Sequence, residues 1–290
     1  MNKINIGFVG LGIMGKHIAN YLLKNSSNFY VINRNSKNTK DFIKTNKRNL
    51  VVLDNYKQLS ELSNIIITCV GDDYDLKSIF LGKKGIINGL KKNTLIIDHT
   101  TSSEKISKEI YTRCSKKKCY FFDSPMSGGE VGAKEGKLSL MVGGSKKKFN
   151  DLKKITKYYS KSCIYMGPSG SGQLTKMVNQ IFVANIIQGL AEGLTFAKDK
   201  KLDIKKLLKV TSVGAGQSWQ LENRGLTMTK NKFNFGFMNK LMLKDLKLVF
   251  DNLDDIKKLP LTIQIKRYYQ KLVKLGYKDE DTSSLIRLLK

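Results

Sequence analysis

The chain has 290 residues, 52 of them Lys or Arg and 24 Asp or Glu, for a formal charge of +28. That length suffices for two domains with a substantial core, and a hydrophobic share of 41% excludes wholesale disorder. So basic a chain raises nucleic-acid or membrane binding. Its lysines, however, come in short bursts at 116–118, 146–148 and 205–206, with no basic arm and no aromatic-interleaved platform, so neither partner is expected.

Four cysteines (Cys69, Cys114, Cys119, Cys163) show no zinc or disulfide spacing, and the two histidines, His17 and His99, lie far apart. No metal site is expected, and a reduced, cytoplasmic setting fits. The apolar N-terminus is short and broken by Asn5 and Gly7, and no apolar run reaches the roughly 18 residues a membrane span needs.

Ile4-Asn-Ile-Gly-Phe-Val9 reads as a buried strand. Gly10-Leu11-Gly12-Ile13-Met14-Gly15 follows at once, then a helical pattern at Ile18, Ala19, Leu22 and Leu23. Between a strand and a helix, this glycine spacing suits a dinucleotide pyrophosphate. The first glycine permits the turn, the second admits the phosphates, and the third lets helix and strand pack. A tight turn without ligand is the alternative.

Phe29-Tyr-Val-Ile32 is the second strand and ends in Asn33-Arg34-Asn35. The acid that grips the ribose hydroxyls of NAD at this place is missing. Arg34 can grip a 2′-phosphate bidentately, or it is a solvated loop charge. Further strands are expected at 50–53, 65–70, 94–97, 120–122, 138–142 and 163–166, alternating with helices or loops: an α/β, doubly wound, mostly parallel sheet. Its strand ends are the ligand positions: Val70-Gly71-Asp72, Asp98-His-Thr-Thr101 and Asp123-Ser-Pro-Met-Ser127-Gly128-Gly129. The last offers a hydroxyl and bare amides as an anion nest, or is a plain turn.

After the glycine-rich loop Gly167-Pro-Ser-Gly170-Ser-Gly172 the pattern turns helical, over 173–200, 203–212, about 238–257 and 261–275. A boundary near residue 166 separates domains 1–166 and 167–290. The first of these helices is apolar almost all round and should be buried. Lys176 in its first turns then needs a partner, and Asn179 and Gln180 follow at three and four residues, on the same face. An ammonium and two amides there suit carbonyl reduction, a proton donor with oxygen-fixing hydrogen bonds. A snorkelling lysine with ordinary polar neighbours is the alternative. Trp219 lies in a glycine-broken loop; as a lone aromatic it is core, the commoner case, or part of a substrate site. Lys244-Asp245 sits in a mostly apolar helix, as an ion pair, a solvated face or a reach into a cleft.

These motifs, in this order, resemble the β-hydroxyacid dehydrogenases: Gly10 to Gly15; Asp123 to Gly129 with Ala133 and Gly136; Gly167 to Gly172 leading to Lys176; and Lys244-Asp245-Leu246. The family includes 3-hydroxyisobutyrate dehydrogenase, tartronate semialdehyde reductase and glyoxylate/succinic semialdehyde reductases. Gln217-Ser-Trp219-Gln220, Phe235-Gly-Phe237 and Asp281-Thr-Ser-Ser-Leu285 look like its 3-hydroxyisobutyrate dehydrogenase-like branch. The resemblance implies a Rossmann-type domain, a long interdomain helix and an all-α C-terminal domain that builds a homodimer or homotetramer. It implies Lys176 as the catalytic lysine, Ser127-Gly128-Gly129 as the substrate-carboxylate motif with Trp219 nearby, and Lys244 and Thr101 on the cofactor side with Val70 and Gly71. The cofactor is then NADP, preferred, or NAD, and the substrate a short β-hydroxy acid or its semialdehyde. A broad NADPH-dependent semialdehyde, glyoxylate or tartronate semialdehyde reductase is the alternative within the class. A nucleic-acid-binding protein on a dehydrogenase scaffold is the rival outside it. Gln180 stands where many members have a second Asn, and Gly71 where a proline is common. Lys176 argues against the imine-reductase relatives.

Overall fold

In the computed structural model, which describes residues 4–46 and 49–289, the chain divides into two compact units, Met1–Lys176 and Met177–Lys290. Among the described residues, the first carries nine strands: β1 (Asn5–Val9), β2 (Asn28–Ile32), β3 (Leu50–Val52), β4 (Ile65–Thr68), β5 (Leu95–Asp98), β6 (Tyr120–Asp123), β7 (Met126–Ser127), β8 (Leu138–Gly144) and β9 (Ser160–Gly167). Between them run α1 (Gly15–Leu23), α2 (Ser36–Thr45), α3 (Tyr56–Leu62), α4 (Asp73–Leu81), α5 (Ile86–Gly89), α6 (Glu104–Lys116), α7 (Gly129–Lys134) and α8 (Phe149–Thr156). Side chains of Asn35, Asn55, Asp72 and Ser103 accept from the first N–H groups of α2, α3, α4 and α6, so short polar residues start these helices.

The strand order is β3-β2-β1-β4-β5-β6-β8-β7, with β9 on β8. Strands β1 to β6 are mutually parallel, and β8 runs antiparallel to β6 and β7. Successive side chains point to opposite faces, so each central strand feeds two cores. Ile65 and Ile67 join Phe8, Phe29, Ile18 and Leu22 on one face, while Ile66 joins Leu76, Ile79, Phe80 and Ile110 on the other. The expected strands are present with shifted ends. β3 lies at the sheet edge, with Val51 and Val52 both exposed. Met126-Ser127, read as part of a turn, pairs with Leu140 and Ser139 of β8.

The long helix α9 (Ser171–Asp199) contains the division between the units. The second unit continues with α10 (Ile204–Thr211), α11 (Trp219–Thr229), α12 (Asn239–Asp251), α13 (Pro260–Lys274) and a 3-10 run at Thr282–Leu289. Its core joins Ala184 and Ile187 of α9 to Met242, Leu246, Ile265, Tyr269 and Leu285. Two expectations are corrected. α9 is not buried all round, because Val178, Phe182 and Ile186, four residues apart, are 48%, 61% and 41% exposed. Of the two readings of Trp219, core is excluded: it opens α11 and is 46% exposed. No helix of the described residues is long and apolar enough to cross a membrane.

Candidate active site

Five parallel strands of the first unit end in one row. Val9 pairs with Ile32 and Thr68, Thr68 with Asp98, and Asp98 with Asp123. The residues that follow therefore line one edge: Gly10, Asn33, Val70, Thr101 and the turn before Ser127. Chain order reverses between β1 and β4, and ligands of open α/β sheets bind at the carboxyl ends beside such a reversal.

The loop of Gly10 to Gly15 sits there. A Cβ on Gly10 would lie 2.2 Å from the Cys69 carbonyl oxygen, and one on Gly15 would lie 2.0 Å from the Gly10 oxygen. Both are glycine for packing. A Cβ on Gly12 would meet nothing within 4 Å. That glycine faces open space, and α1 starts with no side-chain cap. The loop therefore fits a pyrophosphate, whose oxygens would take the N–H groups at the helix start. Leu11 is buried, Ile13 exposed and Met14 intermediate.

Asn33 braces this loop. Its Oδ1 accepts from the Leu11 N–H at 2.9 Å, and its Nδ2 donates to the Asn35 carbonyl at 2.7 Å. Arg34 reaches across to α4, where its Nη1 lies 2.9 Å from Asp75 Oδ1. At the end of β4 the Val70 N–H donates to Thr100 Oγ1 and the Gly71 N–H to Asp75 Oδ2, both at 3.1 Å.

A buried polar network joins the row of strand ends to the start of α9. Asp123 accepts from the N–H groups of Gly170 (2.8 Å) and Gln173 (3.1 Å), so it caps the helix. The Gln173 side chain accepts from the Ser102 N–H at 3.1 Å and donates to the Thr100 carbonyl at 2.8 Å. One turn further on is Lys176, 8% exposed. Asp98 accepts from the Thr68 hydroxyl at 2.7 Å and the Thr100 N–H at 3.1 Å, while its Oδ2 is buried without a hydrogen-bond partner. Burial pushes its carboxyl up to about 7 against those bonds, and pushes Asp123 up to about 6. Burial likewise lowers His99 to about 4. The neutral ring then donates from Nδ1 to the Ser124 carbonyl (2.6 Å), and Nε2 accepts from the Tyr159 hydroxyl (2.9 Å).

Ser127 lies at the end of β7, and Gly128 and Gly129 follow with φ of +124° and +61°. Both glycines are exposed, and a Cβ on Gly129 would meet nothing within 4 Å. Their left-handed backbone disfavours any other residue, and neither has a side chain to shield its own amide. Thr101, next to the Thr100 that Gln173 holds, is half-buried.

In the second unit, Asn179 Nδ2 donates to Gln180 Oε1 at 2.8 Å, and Gln180 Nε2 donates to Asp245 Oδ2 at 2.7 Å. Lys244 Nζ lies 3.4 Å from Asp245 Oδ1. The two amides and the Lys-Asp step therefore form one chain, with Gln180 and Asp245 buried and Asn179 half-buried. Trp219 belongs to a different cluster. The Arg224 guanidinium lies 4.9 Å from its ring and 4.8 Å from that of Phe235, and pairs with Asp281 at 3.2 Å. Asp281 also accepts from the Phe237 N–H at 2.9 Å. Arg224 thus ties together the three segments that look branch-specific. Sequence reasoning missed Arg224, Asp75, Gln173 and the capping role of Asp123. A polar residue three positions before Lys176 was the one visible signal.

The chain matches known proteins along its length. Residues 5–167 match the NAD binding domain of 6-phosphogluconate dehydrogenase, and residues 170–289 match the NAD-binding domain of NADP-dependent 3-hydroxyisobutyrate dehydrogenase. An uncharacterized oxidoreductase of Shewanella frigidimarina is 38% identical over 98% of this chain and 97% of its own. The mitochondrial 3-hydroxyisobutyrate dehydrogenase of Bos taurus is 28% identical over 100% of this chain and 88% of its own. In fold, the chain is similar to a Mycobacterium tuberculosis 3-hydroxyisobutyrate dehydrogenase structure with L-serine, at a TM-score of 0.87 and 22% identity over 99% of both chains. Matched along its length in sequence and in fold, the chain belongs to the NAD(P)-binding β-hydroxyacid dehydrogenases, in their 3-hydroxyisobutyrate dehydrogenase-like branch, and is an NAD(P)-dependent oxidoreductase.

Proposed function

We propose that the enzyme interconverts a short β-hydroxy acid, similar to 3-hydroxyisobutyrate, and its semialdehyde, with NADP(H) preferred over NAD(H). The observation that carries this reading is a buried lysine one turn beyond a helix start that Asp123 and Gln173 hold in place. The nicotinamide supplies the hydride in reduction and takes it in oxidation. Lys176 Nζ gives the substrate oxygen its proton in reduction and removes it in oxidation. Gln180 is committed to Asp245, so Asn179 is the amide assigned to orienting the substrate, with Gln180 fixing its rotation. The amides of Gly128 and Gly129 and the Ser127 hydroxyl take the substrate carboxylate. The loop of Gly10 to Gly15 takes the pyrophosphate, braced by Asn33. Arg34 takes the 2′-phosphate, while Val70, Gly71, Thr101 and Lys244 serve the rest of the cofactor.

Exposed Val178, Phe182 and Ile186 support a homodimer or homotetramer. The four cysteines, none in a disulfide, fit a cytoplasmic enzyme.

The test is a panel of short hydroxy acids and semialdehydes, assayed by nicotinamide absorbance with both cofactors. Preference for 3-hydroxyisobutyrate or its semialdehyde supports the reading, and preference for glyoxylate or tartronate semialdehyde replaces it with the broad reductase. Lys176→Ala should lower turnover about 100-fold or more and leave cofactor affinity intact. Near-normal turnover in that variant would sink the mechanism.

A further inference from the structure

An ion pair spans the end of β2 and the first turn of α4. Arg34 Nη1 donates to Asp75 Oδ1 at 2.9 Å, and the Gly71 N–H donates to Asp75 Oδ2 at 3.1 Å, so both carboxylate oxygens are engaged. A proline at 71 would have no N–H to give. The two partners differ in freedom. Asp75 is 17% exposed in its side chain, and its own N–H is held by the Asp72 carboxylate. The Arg34 side chain is 84% exposed. Asp75 is therefore the anchored partner, and Arg34 is the one that solvent and ligands reach. Burial raises the pKa of the Tyr56 hydroxyl, the charge of Asp75 raises it further and that of Arg34 lowers it.

We propose that Asp75 limits the cofactor selectivity: it holds Nη1 of the Arg34 guanidinium, a 2′-phosphate must compete with it there, and the preference for NADPH is thereby held below what Arg34 alone would give. The inference rests on the reading of Arg34 as the 2′-phosphate ligand. Asp75 holds Nη1, so a phosphate that uses both terminal nitrogens must compete with the carboxylate for it. The carboxylate also meets the phosphate as a like charge at short range. NADH carries no phosphate there and leaves the pair intact. Asp75 thus penalises one cofactor and not the other.

The test is calorimetric titration of NADPH and NADH into the intact chain at one ionic strength, for the parent, Asp75→Asn, Arg34→Ala and the double variant. Asparagine keeps the side-chain size and an oxygen for the Gly71 N–H. Asp75→Asn should tighten NADPH about five- to tenfold, the scale of an exposed ion pair plus relieved repulsion. NADH should change by less than about twofold, since the same charges do not act on it. The gain should vanish in the Arg34→Ala background. Unchanged or weaker NADPH binding in Asp75→Asn, with Arg34→Ala still weakening it, overturns this inference alone. A loss of NADH affinity in Asp75→Asn overturns it too, because Asp75 would then be a ligand of the ribose hydroxyls. Unchanged NADPH binding in Arg34→Ala overturns the reading of Arg34 and this inference with it. Asp75→Ser, for which the same pattern is expected, serves if Asp75→Asn unfolds in a thermal scan.

Discussion

Alanine at Gly12 and alanine at Gly15 should separate nucleotide binding from folding, although the two glycines lie in one turn. At Gly15 the new methyl carbon would stand 2.0 Å from the Gly10 carbonyl oxygen, and real contacts of that kind stay above 3.0 Å. Backbone must move by about 1 Å, and overpacking of this sort costs about 1–3 kcal/mol. For a unit of this size each kcal/mol shifts the thermal midpoint by about 2–4 °C, so Gly15→Ala should melt roughly 2–12 °C lower. At Gly12 the methyl meets no protein atom within 4 Å, so stability should stay within about 0.5 kcal/mol of the parent. The methyl does meet the space assigned to the pyrophosphate. Nucleotide at 100 times its dissociation constant stabilises the parent by about 2.7 kcal/mol. If Gly12→Ala weakens binding about 100-fold, the same concentration stabilises it by only ~0.4 kcal/mol. The assay is a thermal scan of each variant with and without NADP+. A full nucleotide-induced shift in Gly12→Ala would refute the cradle, and an unchanged midpoint in Gly15→Ala would refute the packing argument.

Ser127→Ala should raise the Michaelis constant for acids and leave cofactor affinity nearly unchanged. The parent should reject an analogue whose carboxylate is an amide, since unpaired donors cost about 1–3 kcal/mol each; equal use of acid and amide by the parent would rule out carboxylate recognition. Asp98 has its folded pKa raised from 3.8 to about 7 by burial. The folded chain therefore holds a proton that the unfolded chain has lost between those values, and this contribution to stability disappears as pH rises through about 7. His99, lowered from 6.5 to about 4, acts in the opposite sense and costs stability as pH falls below 6.5. Asp98→Asn has no such proton to lose, so its thermal midpoint should rise relative to the parent between pH values below 4 and above 7; parallel midpoint curves would count against a protonated Asp98.

What the amino-acid sequence determined by itself is local. Glycine spacing after an apolar run marked the loop of Gly10 to Gly15, because only that spacing lets a strand turn into a close-packed helix. Alternating runs such as Ile65-Ile-Ile indicated a sheet covered on both faces, and the change of period after Gly172 indicated the helical unit. Short polar residues marked helix starts, and Lys176 with Asn179 and Gln180 followed from helical geometry. What only the tertiary structure decided depends on partners far apart in the chain. Asp123 caps a helix 47 residues away, Gln173 reaches back 71 residues to Ser102, and Gln180 is tied to Asp245 across 65. No period or spacing encodes such pairs. The same holds for Arg34, which reads as a solvated charge or a phosphate grip until Asp75, 41 residues on, is seen beside it. For Trp219 the sequence left core and site both open for a related reason. Lone aromatics are usually buried by apolar neighbours, but this ring lies over a guanidinium that Asp281, 57 residues beyond Arg224, holds in place. α9 shows the limit of periodicity: apolar residues all round it announced burial, yet the second unit covers one side of its stretch and leaves Phe182 in the open.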